Sequence, residues 1–208
     1  MAIFKYLSAL TVALLLSVAP AAYAQSAPPN RINYSGVIYR LVWQSHPTPN
    51  YSKYEYLPEG QQLPYYQNML MLETITGTGY RAIDPRQCPL PANSGGNLTV
   101  NVSACAQIQF LKQRKLVDPI THYEVIQNKR LGEVLLDFIV SAEDAEVGTI
   151  IEWNGYRYIP IDNGVLLYAQ SIRAYGERDG LSFLNSLGQM RQQWISALIS
   201  ARVPPFTF

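Results

Sequence analysis

Three observations predict an α+β fold, an antiparallel sheet covered by a C-terminal amphipathic helix. Five strand-like runs follow one another from residue 121, two Asn-Gly pairs punctuate them, and residues 181–202 repeat apolar side chains at three- and four-residue steps. A meander of this kind has an apolar face that needs cover, and a helix with one apolar stripe supplies it. A lipocalin-like closed β-barrel is the alternative, but it requires more evenly spaced strands and leaves the last helix at the periphery.

Residues 1–24 read as a cleaved signal peptide. Lys5 gives the positive start, residues 7–18 form an apolar run broken by Ser8, Thr11 and Ser17, and Ala22-Tyr23-Ala24 is a small-x-small cleavage site. The run is shorter than the roughly 20 residues a membrane-spanning helix needs. No cysteine stands at the cleavage site to carry a lipid, so the expected location is the periplasm or the exterior, with no membrane span after cleavage. Residues 25–33 (QSAPPNRIN) are expected to be a flexible mature N-terminus, and residues 34–208 a single domain.

Residues 34–44 (YSGVIYRLVWQ), rich in β-branched and aromatic side chains, predict a strand that the prolines at 47 and 49 end. Residues 51–57 alternate so that Tyr54 and Tyr56 share one strand face. A turn at Pro58-Glu59-Gly60 and a linker at 61–66 lead to residues 68–76 (NMLMLETIT), compatible with a buried strand or a helical end, of which the strand is favoured. Cys88 and Cys105 are the only cysteines, and in an exported chain they are expected to form one disulfide across a Pro-, Gly- and Asn-rich excursion. Closing that loop is worth about 3 kcal/mol on a chain-entropy account. Neither cysteine has the C-x-x-C partner of a redox pair.

Within the excursion, residues 97–103 (NLTVNVS) alternate and suggest a short strand or hairpin arm. Residues 106–117 suggest a helix, from the spacing of Ile108, Leu111 and Lys115, that Pro119 stops. The meander runs are 123–129, 133–142, 149–153, 156–161 and 165–174. Asn154-Gly155 and Asn163-Gly164 each suggest a hairpin turn, because both centre positions of a type I′ turn need positive φ. The C-terminal helix is marked by Leu184, Leu187, Trp194, Ile195 and Leu198, with Asp179 or Ser182 as N-cap and Pro204 and Pro205 as its stop.

Composition removes several function classes. Sixteen basic against 15 acidic residues, neutral once Lys5 leaves, argue against a nucleic-acid binder. The expectation is a chain without cofactor, metal or catalytic site. Only His46 and His122 could serve as imidazole bases, and no G-x-S-x-G elbow is present. Glu143-Asp144-Ala145-Glu146 lacks the ligand spacing of a calcium loop and reads as a solvated turn. Glu133, Asp137 and Glu152 are strand carboxylates whose convergence the alternation alone does not establish. Gly77-Thr78-Gly79 lacks the Lys-Ser/Thr of a phosphate loop, and Lys112, Arg114 and Lys115 read as a solvated helix face.

Tyrosine is the compositional excess, with 15 residues. The group Tyr51, Tyr54, Tyr56, Tyr65 and Tyr66 stands among loop-forming residues and suggests a protein-recognition surface, since tyrosine buries much apolar area while keeping a polar tip. The run Glu55-Tyr56-Leu57-Pro58-Glu59-Gly60-Gln61, followed by Tyr65, Tyr66, Met69 and Leu70, resembles a pattern of uncharacterised secreted bacterial proteins. The order of elements resembles, more loosely, the PsbP-like (DcrB-type) α/β/α sandwich, from which the cysteine loop departs. The resemblance implies a non-enzymatic accessory or binding role and brings no functional residues with it. The expected function is a non-catalytic exported protein, inhibitor- or immunity-like, whose partner is another envelope or secreted protein. A carrier of an apolar small molecule or lipid, held between the helix face of Leu187, Trp194 and Leu198 and the meander, is the second expectation, and a hydrolase the third.

Overall fold

The computed structural model describes residues 28–77, 90 and 98–204. The expected signal peptide, Cys88 and residue 97 lie outside the described residues. The strands are β1 (Arg31–Tyr34), β2 (Val37–Thr48), β3 (Tyr51–Pro58), β4 (Asn68–Thr76), β5 (His122–Asn128), β6 (Glu133–Asp144), β7 (Gly148–Ile161) and β8 (Gly164–Tyr175), and the helices are α1 (Leu98–Arg114) and α2 (Glu177–Ser200). The strands form one open, wholly antiparallel sheet in the order β1-β2-β3-β4-β8-β7-β6-β5. The α+β expectation holds, and the sheet does not close into a barrel.

Strand alternation divides the core in two. Met71, Val134, Leu136, Phe138, Tyr158, Val165, Leu167 and Ala169 point to α1, which answers with Val100, Ala104, Ile108 and Leu111. Their sequence neighbours Leu70, Leu72, Leu135, Leu166 and Tyr168, together with Trp153, point to the opposite face, where Ile195 and Leu198 of α2 cover them. The central strands are therefore apolar on both sides, unlike a sheet with one wet face.

The sheet also bends. The Tyr34 hydroxyl on β1 donates to Gln170 on β8 at 2.9 Å, and the Tyr34 and Tyr168 rings meet edge to face at 6.2 Å. Four strand spacings separate β1 from β8, about 19 Å in a flat sheet, beyond the reach of these two side chains. The β1–β4 half therefore curls over the α2 face and buries Tyr34, Tyr39, Tyr54, Tyr56 and Tyr168 together.

Several sequence expectations need correction. The fold begins at Arg31, inside the segment expected to be flexible, because Ser35 and Gly36 (φ 51° and 81°) turn β1 back onto β2. β2 continues through Pro47 to Thr48, and the ladder absorbs the proline at a register shift between Ser45 and Thr48. Leu98–Ser103 is the first part of α1 and not a strand, because Val100 belongs to the helical row Val100, Ala104, Ile108, Leu111. Asn154-Gly155 is no turn. It lies within β7, paired with Phe138 and Asp137 on one side and Ser171 and Gln170 on the other, so two expected strands are one. The second Asn-Gly hairpin does exist, but its connecting residues are Asp162 and Asn163, with Gly164 already paired to Ile161. Neither Asp179 nor Ser182 caps α2. It starts at Glu177 after Gly176, with no side-chain cap, and Glu177 and Asp179 offer negative charge to its first turn.

Two polar anchors fasten α2 to the sheet. Arg157 on β7 binds Glu133 on β6 through Nε and Nη2 (3.0 and 2.9 Å), and its Nη1 donates to the Leu198 and Ala201 carbonyls (3.1 and 3.0 Å). The buried Asp137 accepts from Trp153 Nε1 at 2.7 Å and from Arg191 of α2. At the other face, Asp118 ties the turn after α1 to β6. It accepts from the Ser141 amide and hydroxyl and from Thr121, and these bonds hold its carboxyl below the usual range although burial pushes it up.

Close packing gives a first prediction. A Cβ at Gly164 would fall on the Ile75 carbonyl oxygen, which is backbone, whereas at Gly155 it would come within 2.9 Å of the side chains of Leu198 and Trp153. Gly155→Ala is expected to cost about 1–3 kcal/mol in urea denaturation and Gly164→Ala more than that, because a backbone clash cannot be relieved by a rotamer. The anchors give a second. Arg191→Ala strands the Asp137 carboxylate and should cost about 3–5 kcal/mol, whereas Arg178→Ala, at a side chain 95% exposed, should leave the denaturation midpoint in place.

Candidate binding cleft

α1 packs on its face of the sheet mainly over β6, β7 and β8. Beyond it, on the same face, lies an open cleft of about 410 Å³. Lys53 and Glu55 of β3, Met69 and Met71 of β4, Glu152 and Tyr156 of β7, and Ser171 and Arg173 of β8 line it, with Trp43 of β2 and the Leu63-Pro64 and Tyr66 connection at its rim. Alternation explains the set: these residues share the face of Val134, Leu136 and Leu167, and Met71 and Tyr156 join the cleft to the core under α1.

The cleft carries a linked set of charges. Lys53 Nζ lies 3.0 Å from Glu55 and 3.7 Å from Glu73, its partner across β4. Burial raises the proton affinity of the Glu73 carboxyl and outweighs the attraction of Lys53 and a hydrogen bond with Tyr51. Burial, then Glu73, pushes the Tyr51 hydroxyl up in turn. On the far wall Arg173 is ion-paired with Glu152, stands 4.0 Å over the Tyr66 ring, and donates to the Pro64 carbonyl at 3.3 Å. Burial opposes the charge on Arg173, but Glu152 and Tyr66 hold its pKa above the ordinary value. Glu55 and Glu152 thus line the cleft with Lys53 and Arg173, while Glu73 is paired with Lys53 without lining it, and each carboxylate is less exposed than the cation beside it.

The five tyrosines expected to form one surface are divided by this geometry. Tyr54 and Tyr56 are buried on the α2 face, Tyr66 is buried beneath Arg173, and Tyr51 stands on the cleft's face against Glu73. Tyr65 is half-buried and donates to Glu146 at 2.9 Å and to Asp144 at 3.3 Å, and the bond to Glu146, first among the causes, pushes its hydroxyl up to about 12. The acidic turn is accordingly occupied: Asp144 also accepts the amides of Glu146 and Val147, which holds its carboxyl below the usual range.

The remaining candidates do not assemble. His46 Nδ1 is 2.9 Å from Ser52 Oγ, on the exposed end of the β2–β3 hairpin, with its ring edge-on to Tyr54. His122 lies 3.8 Å from Glu124 and lines a separate cavity of about 140 Å³ with Asp137, Leu187 and Arg191. Glu133 and Asp137 face α2 while Glu152 faces the cleft, so the three strand carboxylates do not converge. Arg114 is bound to the Ser141 carbonyl and lies 3.4 Å from Asp118, so it is no solvated base. Between α2 and the meander, Trp153, Ile195 and Leu198 are buried against one another, beside the cavity of about 140 Å³ and a second of about 430 Å³ lined by Ile126, Leu135, Arg157 and Ile199. Cys105 is fully buried on α1, while Cys88 lies outside the described residues. Among the described residues no group of three or more His, Cys, Asp or Glu could hold a metal ion, and no helix is long and apolar enough to cross a membrane.

Sequence reasoning passed over Trp43, Lys53, Glu55, Glu73 and Arg173. The available signal was a charge inside an otherwise apolar strand: Glu73 in NMLMLETIT and Arg173 in the run 165–174, with Glu152 beside Trp153.

A family model matches residues 26–87 and 95–203, and the chain belongs to that uncharacterised family. No curated protein and no solved structure matches the chain.

The raised Glu73 carboxyl predicts a pH signature. The folded state keeps its proton to a higher pH than the unfolded chain does, so the burden of ionising it grows as pH rises through the folded pKa. Glu73→Gln, measured by urea denaturation against wild type, should gain in relative stability between mildly acidic and neutral pH. A difference that stays constant with pH would contradict the assignment.

Proposed function

We propose that the chain is an exported, non-catalytic binding protein that recognises another envelope or secreted protein through this cleft. The observation that carries the reading is the open half-face itself, where Trp43 (42% exposed) and Leu63 (36%) border an aromatic and charged hollow that α1 leaves uncovered. Exposed apolar surface rimmed by polar groups is the usual mark of an interaction site. Export rests on the pattern of residues 1–24, and the only two cysteines, Cys88 and Cys105, are proposed to be bridged in that oxidising compartment. A helix on each face of the sheet supports the resemblance to the PsbP-like sandwich, and with it an accessory or inhibitor-like role.

Two measurements test this. N-terminal sequencing of protein recovered from the envelope should begin at Gln25. In cross-linking within intact cells, Trp43→Glu with Leu63→Glu should abolish the adducts of the wild type. Leu116→Glu with Val117→Glu, at the exposed turn after α1, should retain them. Equal adducts from both variants would remove the cleft as the recognition site.

A further inference from the structure

We propose that the smaller cavity between α2 and the meander, on the face opposite the cleft, is a binding site for a small neutral aromatic molecule that enters beside Gly188. Gly188 stands inside a 24-residue helix, where glycine costs stability that alanine would not. Other glycines at this face have a packing reason. A Cβ at Gly155 would come within 2.9 Å of Leu198 and Trp153, and one at Gly180 within 2.9 Å of Ile151. A Cβ at Gly188 would meet nothing within 4 Å. Packing therefore does not require this glycine, and the space its missing side chain leaves free adjoins the cavity of about 140 Å³ that it lines.

Size and walls decide the occupant. Gly188 and His122 are exposed at the mouth, Trp153 and Asp137 are each 1% exposed at the floor, and Ile139 and Leu187 add apolar wall. An apolar cavity of roughly 150 Å³ holds one benzene ring. The charges in the lining are already matched. Asp137 is ion-paired with Arg191 and accepts from Trp153, and Arg191 also holds Glu124 at 2.8 Å. A charged ligand would give up its water there and find no counter-ion left for it, so the fitting occupant is neutral. An aromatic ring is favoured over an aliphatic one of equal size because Trp153 ends a row of rings. Phe183 and Trp194 lie 6.0 Å apart, Trp194 and Trp153 5.0 Å, and contact between rings adds attraction beyond the area buried.

Methyl NMR on isoleucine-labelled protein reads this site, because Ile139 lines the cavity and Ile108 lies under α1 on the other face. Phenol should move the Ile139 methyls to saturation and leave Ile108 still. Cyclohexanol should bind about three- to tenfold more weakly, and benzoate and benzylamine more weakly again. Gly188→Ala should raise the urea midpoint, since the helix gains and the new methyl strikes nothing. Gly188→Leu, whose side chain reaches across the mouth, should abolish the phenol response while Ile108 keeps its wild-type position. Cyclohexanol binding as tightly as phenol would overturn the aromatic assignment, and benzoate or benzylamine doing so would overturn the neutral one. Acetyl-phenylalanine-amide binding more tightly than phenol would overturn the free molecule in favour of a side chain from a partner. A silent Ile139, a phenol response retained in Gly188→Leu, or a lowered midpoint for Gly188→Ala would each overturn the proposal. The titration of wild type decides it even where the leucine variant fails to fold, and none of these outcomes bears on the cleft, which the cross-linking experiment tests.

Discussion

Arg157 is the joint on which the layers of this molecule depend. The last turn of α2 contains no basic residue, so its orphan carbonyls and the negative end of its dipole must be met from elsewhere. Arg157 meets them from the middle of the sheet, with one arm on Leu198 and Ala201 and the rest of its fork on Glu133. Only a guanidinium can hold a carboxylate in two bonds and still offer a third nitrogen to a helix end. Asp137, joined to Trp153 and Arg191, makes the second fastening further along the same helix. Both fastenings lie on β6 and β7, which places the apolar stripe of α2 over the meander and leaves the β1–β4 half of the sheet to solve its own burial.

That half solves it by bending, and the tyrosines make the bend stable. Tyr34, Tyr39, Tyr54, Tyr56 and Tyr168 fill the concave side, with Tyr34 edge-on to both Tyr39 and Tyr168 at 6.1 and 6.2 Å. A phenol suits a curved sheet because its ring fills the volume between strands while its hydroxyl reaches a polar partner, as Tyr34 reaches Gln170. The compositional excess of tyrosine therefore belongs mostly to the core. Its consequence for function is indirect: curling toward α2 turns the other side of β2 and β3 outward, while α1 packs mainly on β6, β7 and β8.

Where the sequence was legible, the favoured local pattern and the packing agreed. NMLMLETIT is a strand whose two faces each find a core, Tyr51–Pro58 is one whose Tyr54 and Tyr56 do, and the three- and four-residue apolar steps before Pro204 admit nothing but a helix. It was illegible where two periods overlap. In NLTVNVS the apolar residues alternate, yet Val100 is also four residues before Ala104 and eight before Ile108, and the helix prevails because that longer row faces Leu136 and Leu167 across the core. Asn154-Gly155 misled for a related reason. Local turn chemistry favours a hairpin there, but Leu198 and Trp153 occupy the place a Cβ would take, so the glycine serves close approach of α2 and the asparagine accepts from Ser171. The cleft was hidden because its members come from five strands, and no local pattern joins Lys53 to Arg173.

The charges of that cleft ask for a reason that folding does not provide. Glu55, Glu73 and Glu152 are each less than one-fifth exposed, and pairing carboxylates with Lys53 and Arg173 on a sheet face does not outperform well-packed apolar side chains of similar size, since desolvation consumes most of the attraction. The neighbouring stretch of the same face demonstrates the alternative, for there Val134, Leu136 and Leu167 are apolar and α1 covers them. Stability would be served by extending that apolar surface and the helix over it. Instead β3, β4, β7 and β8 carry ionic residues beside it, and burial raises the proton affinity of Glu73. A surface that accepts such a cost is explained by what it meets, since the folded chain gains little from those charges itself.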